Sequence, residues 1–96
     1  MPPAPGAMGA VSLMNIMYNP KSITVHAGTA IKWTNNDSGI VHTVTSGTPG
    51  APAGMFDSGN LNSGQTFQFT FSSTGTFSYY CRIHGAAMTG TVTVIP

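Results

Sequence analysis

Cys81, His84 and Met88 fall within eight positions of one another, between an aromatic run ending at Tyr80 and the β-branched run Thr91-Val92-Thr93-Val94. A thiol, an imidazole and a thioether on one short loop form a soft donor set, and soft sulfur ligands select copper over hard cations. One copper ion, cycling between Cu(I) and Cu(II), is the expectation. Such a mononuclear site needs a second imidazole from a separate segment, so that two parts of the chain are clamped around the metal. Of the two other histidines, His42 lies in Ile40-Val41-His42-Thr43-Val44, after the turn-like Asn35-Asn36-Asp37-Ser38-Gly39, and can close a strand. His26 ends Ile23-Thr24-Val25 and runs at once into Ala27-Gly28, so it reads as a solvated turn residue. His42 is the better candidate.

Zinc competes for such ligands, but structural zinc takes several cysteines in closed tetrahedral sites and does not use thioethers. Zinc here would be adventitious. An oxidase would need further copper centres built largely from histidine, and this chain has one histidine to spare. Asp37 and Asp57, the two acids, sit in turn-rich contexts and are too few for acid–base catalysis. The chain is expected to be no enzyme.

These donors need a rigid frame. No stretch sustains a helical period for three turns, and the chain reads as short strands separated by turn residues. Strands are expected near 11–18, 22–26, 30–35, 40–46, 65–71, 76–81 and 89–95, with a further short one at 55–58. Seven to eight strands at this spacing make an all-β sandwich. Phe67, Phe69 and Phe71 alternate with Thr66, Gln68 and Thr70, which puts three rings on one buried face. Ile31 and Trp33 alternate with Lys32 and Thr34, and Val92 and Val94 with the threonines of the last strand, so these too are core. Phe77, Tyr79 and Cys81 share one parity, carrying the sulfur inward to meet His42. The Gly/Pro-rich stretch 46–54 is expected to be a surface loop helping to rim the site. Met14, Met17 and Met55 read as filler.

Ninety-six residues make one domain, with residues 1–10 as a flexible Pro/Gly/Ala-rich arm that includes Met8, and 11–96 as the metal-binding unit. Three basic and two acidic side chains give a net charge of +1, so no basic stripe exists for nucleic acid or an anionic membrane. No segment approaches membrane-spanning length. The opening Met1-Pro2-Pro3-Ala4-Pro5-Gly6-Ala7 has neither a basic start nor an apolar core, so it is no signal peptide. A single cysteine forms no internal disulfide, and a free thiol in an oxidising compartment needs protection such as metal ligation. A periplasmic or otherwise extracytoplasmic setting is therefore expected.

The stretch from Gly75 through Tyr79-Tyr80-Cys81-Arg82-Ile83-His84-Gly85-Ala86-Ala87-Met88 to Val94, with Ile23-Thr24-Val25-His26-Ala27-Gly28-Thr29 and Trp33-Thr34-Asn35-Asn36-Asp37, resembles the cupredoxins, in particular the small plastocyanin, amicyanin and pseudoazurin group. The likeness runs from about Val11 to the C-terminus. It implies a Greek-key β-sandwich in which His42 and His84 are imidazole ligands, Cys81 the thiolate and Met88 the axial thioether of a type 1 copper. It also implies a mobile one-electron carrier, expected as a monomer, docking transient redox partners through the apolar surface of Ile83, Gly85, Ala86 and Ala87 around His84. Weak, small interfaces suit partners that must separate after each transfer. A copper-delivery module and a domain excised from a larger copper oxidase are the rival readings.

Three features depart from the group. The spacing C-x2-H-x3-M lies between the amicyanin-like and plastocyanin-like loops. Ile83 stands where many relatives have proline, and its backbone N–H, if directed at the Cys81 sulfur, would raise the potential. Thr43 replaces an asparagine that ties the two ligand-bearing segments together, a task open to its hydroxyl. Arg82 is placed to contact an acidic partner, and Tyr80 resembles the tyrosine offering a second exit route in plastocyanins, beside the plainer reading of a surface tyrosine.

Overall fold

In the computed structural model, residues 8–96 are described, and they form two packed sheets without a helix. The first sheet has the order β2-β1-β4-β7 and the second β3-β9-β8-β5-β6. The strands are β1 Gly9–Met14, β2 Met17–Asn19, β3 Ser22–His26, β4 Thr29–Asn35, β5 Thr45–Thr48, β6 Ala51–Asp57, β7 Thr66–Phe71, β8 Gly75–Cys81 and β9 Gly85–Ile95. The pairs β1/β4 and β3/β9 run parallel and the other neighbours antiparallel. The expected all-β sandwich is present, with nine strands instead of seven or eight.

Alternation builds the core. Ile31 and Trp33 on β4 are fully buried while Lys32 between them is exposed. Trp33 packs its ring 5.5 Å from Tyr79 of the opposite sheet and 5.7 Å from Phe67. Val92 and Val94 face inward as expected. Of the three β7 rings only Phe71 is wholly buried; Phe67 and Phe69 are half-buried against the core cluster.

Four expectations need correction. The strand expected over 11–18 is broken at Asn15 and Ile16, whose φ values of 55° and 57° make the two-residue hairpin turn that matches strand twist. Neither glycine nor proline marks that turn. Residues 40–44 leave the ladder: His42 forms an isolated bridge with Leu61, Val44 N–H donates to Ser58 Oγ, and regular pairing starts only at Thr45. Stretch 46–54 is not a loop but the β5/β6 hairpin. Pro49-Gly50 supplies its turn, Gly50 with φ 80°, and Pro52 is tolerated because β6 lies at the sheet edge. Its tip points away from the site, because Thr45 pairs with Tyr80 and Ser46 with Tyr79; only its base meets the ligand loop. Finally, the expected arm over 1–10 lies outside the described residues for 1–7, while Gly9 and Ala10 already pair with Ile31 and Lys32.

Candidate metal centre

Strand parity delivers the sulfur. Tyr79 and Cys81 point into the sandwich at the end of β8, and Cys81 is completely buried. The chain reverses through Arg82, Ile83 and His84 and enters β9 at Gly85, whose φ of 57° suits glycine. Tyr80 pairs with Thr89 but Cys81 with Gly85, so Ala86, Ala87 and Met88 have no counterparts on β8. This bulge exposes the two alanines and turns Met88 inward, where it is 1% exposed. Met88 thus belongs to a strand, not to the loop expected to carry it.

The structure brings His42, Cys81 and His84 to one point. Cys81 Sγ lies 3.5 Å from His84 Nδ1 and 3.9 Å from His42 Nδ1, and the three donor atoms all fall within 4.8 Å of one another. Bonds of about 2.3 Å to sulfur and about 2.0 Å to nitrogen, opened to about 110–120°, separate S and N by about 3.5–3.7 Å. The observed spacings bracket that range, so the donors fit a single first-row ion. His42 is wholly buried and His84 half-buried, which places one imidazole in the interior and one toward solvent. Ile83, 50% exposed, and the exposed Ala86 and Ala87 flank the latter. His26 is elsewhere, its Nδ1 bonded to the Pro96 carbonyl.

Around the donors the polar groups are specific. Thr43 N–H donates to Cys81 Sγ at 3.4 Å; the Ile83 N–H, expected to be able to do so, makes no such bond. The Thr43 hydroxyl accepts from Arg82 N–H at 2.9 Å, tying the His42 segment to the Cys81 loop. The same oxygen contacts Thr45 Oγ1, which donates to Asp57 Oδ1, and Asp57 Oδ2 pairs with the Arg82 guanidinium. The circuit returns to Arg82, so that side chain has an acidic partner within its own chain. Tyr80, read as surface-exposed or as an exit route, is buried, at 5% exposure.

Sequence reasoning passed over Asp37 as a turn residue, although an acid five positions before a candidate ligand was a signal that could have found it. Its Oδ2 lies 2.6 Å from His42 Nε2, and it also accepts from the backbone N–H groups of Asn15 and Ile16. Burial opposes its ionisation, but the hydrogen bonds from His42, Asn15 and Ile16 outweigh this and hold the carboxyl below its usual range. Asn35, fully buried, organises the intervening loop by donating to the carbonyls of Ile40 and Leu61 and accepting from Asp37 N–H.

Comparison with known proteins points to copper. Residues 7–95 match the model of copper binding proteins of the plastocyanin/azurin family. Plastocyanin from Rumex obtusifolius is 39% identical over 88 residues, covering 82% of this chain and 88% of its own. Plastocyanin from Scenedesmus fuscus is 33% identical over 86 residues, covering 82% and 87%. Among solved structures, a purple cupredoxin from Nitrosopumilus maritimus superposes with a TM-score of 0.82 at 30% identity, covering 90% of this chain and 98% of its own. Sequence match, fold and converging nitrogen and sulfur donors make copper the cofactor, and the chain belongs to the plastocyanin/azurin family of copper-binding proteins.

Proposed function

We propose that this protein is a mobile one-electron carrier whose copper is held by His42, Cys81, His84 and Met88 in a type 1 site. The observation that carries the reading is the packing of one ring nitrogen each from His42 and His84 with the Cys81 sulfur within 4.8 Å of one another at the end of a rigid sandwich. Bound copper supplies the one-electron couple. The residues would supply the rest: Cys81 would bind as thiolate, the two imidazoles through Nδ1, and the buried Met88 would offer its thioether. A soft, mixed donor set is a compromise between cuprous and cupric preferences, so little needs to move on electron exchange. Thr43 fixes the sulfur and the loop beside it, while the packed core excludes water from His42. The half-buried ring of His84, ringed by Ile83, Ala86 and Ala87, is the route to a partner, and a transient partner suits so small an apolar surface. A free thiol buried under a metal fits an extracytoplasmic, oxidising setting.

The test is an optical and EPR spectrum of the copper-loaded oxidised protein beside Cys81→Ser. An intense thiolate-to-copper band with narrow copper hyperfine splitting is expected in the parent, and its loss in the variant. Ready loss of copper to a chelator, with no such band, would instead mark a delivery module.

A further inference from the structure

We propose that Asp37, gripped by the β1/β2 turn and bonded to the far ring nitrogen of His42, is a positioning residue of the copper centre: it holds His42 with Nδ1 turned to the metal and biases bound copper toward the cupric state. The inference rests on the electron-carrier reading and deepens it.

Three hydrogen bonds fix the carboxylate. Oδ1 accepts Asn15 N–H at 2.7 Å, and Oδ2 accepts both Ile16 N–H at 3.1 Å and His42 Nε2–H at 2.6 Å. The side chain is 7% exposed and that of His42 is fully buried, so the pair is shielded from water. Two successive left-handed residues aim their N–H groups to one side, which makes a small concavity for an anion. One of the two is a β-branched isoleucine at φ 57°, where such a residue is a genuine outlier. Strain of this kind persists where the surroundings demand it, and here the demand is the carboxylate between the turn and the imidazole.

With Nε2 donating to the carboxylate, the lone pair of His42 is left on Nδ1, the atom facing Cys81 Sγ. A carboxylate on the outer nitrogen fixes the ring's tautomer and orientation and raises its basicity toward the metal. The higher-charged ion gains more from a more basic nitrogen and from a nearby buried negative charge, so the cupric form is favoured and the potential lowered.

Asp37→Asn keeps an oxygen acceptor of the same shape and removes the charge. In the copper-loaded protein it should weaken Cu(II) by about 10- to 100-fold and Cu(I) by less, so that the potential rises by up to about 118 mV at 59 mV per tenfold. Gly50→Ala, at the β5/β6 tip that points away from the site, should leave the potential unchanged. In the parent loaded with diamagnetic Cu(I), the His42 Nε2–H proton should resonate far downfield and exchange slowly with solvent. A parental potential in Asp37→Asn overturns the proposal, as does an equal shift in Gly50→Ala or a rapidly exchanging His42 proton. The proton measurement decides the matter even where Asp37→Asn does not fold. A parent that takes up copper without a thiolate band fails the carrier reading itself; a blue parent whose potential ignores Asp37 fails only this inference.

Discussion

Tyr18 reaches from the short strand β2 into the interior and donates its hydroxyl to the Thr43 carbonyl at 2.6 Å, on the residue whose N–H meets the Cys81 sulfur. Its ring lies 4.5 Å from that of Tyr79. Burial, with the nearby Cys81 and Tyr79, pushes the Tyr18 phenol far above the usual range, and burial pushes Tyr79 up to about 12. The unfolded chain releases both protons near pH 10, at the usual tyrosine value, while the folded chain keeps them. Above pH 10 the native state therefore holds more protons than the unfolded one, and stability falls as pH rises. Below pH 10 this contribution is complete; between pH 10 and 12 each tyrosine removes up to about 1.4 kcal/mol per pH unit. Tyr18→Phe should cost about 1 kcal/mol at pH 7, through the lost bond to Thr43, yet lose less stability than the parent from pH 10 to 12. Urea unfolding of metal-free protein across that range reads both effects, and parallel curves for parent and variant would contradict the buried-phenol account.

At the scale of elements, the β5/β6 hairpin shows what glycine is needed for. A Cβ at Gly47 would stand 2.5 Å from the Ala51 carbonyl oxygen and 2.6 Å from Ala53 N, with φ at 114°, whereas one at Gly50 meets nothing within 4 Å at φ 80°. Backbone atoms cannot yield as flexible side chains do. Gly50→Ala should thus cost only the left-handed penalty of about 1–2 kcal/mol, while Gly47→Ala adds a backbone clash and should exceed about 3 kcal/mol, or unpair the hairpin. Thermal unfolding of the two variants, and hydrogen exchange at β6, would check the order. The same hairpin marks where reading from sequence stops. Alternation around Trp33, Cys81 and Val92 gave the sheets and the inward sulfur because side-chain parity is local. Glycine and proline looked like loop because their strand use depends on an edge position and a bulge, which are properties of the assembled sheet. The Asn15-Ile16 turn was hidden for a related reason: its left-handed geometry is supported by Asp37, twenty-one positions from Ile16. The donors Cys81 and His84 were legible from spacing on one loop, and His42 from the shortage of alternatives. The Asp37 bond was not, since nothing in a turn sequence tells which way its carboxylate faces.

For the whole molecule, charge is sparse and largely spent internally. Of five charged side chains, Arg82 is paired with Asp57 and Asp37 with His42, leaving Lys21 and Lys32 outside the ion pairs among the described residues. Lys32 lies mid-strand on β4, and Lys21 borders the groove of Met17, Ala86, Ala87 and Met88. The surface around His84 therefore presents Ile83, Gly85, Ala86 and Ala87 with Lys21, beside Ala86 and Ala87, as its one unpaired charge, and so with only a weak field. Charge-steered association gains about 10- to 1,000-fold at low salt and loses it as ions screen the partners; a protein with so weak a field should show little of either. Oxidation of the reduced copper protein by a small anionic reagent and by a small cationic reagent, followed by stopped flow, should vary by no more than about threefold between ionic strengths of roughly 0.01 and 0.5 M. Slopes that are steep and opposite in sign for the two reagents would mean that charge guides the encounter. A flat response with both, and a slowing when Ala87→Asp puts a carboxylate beside the His84 ring and the anionic reagent is used, would identify the apolar end as the place where electrons leave.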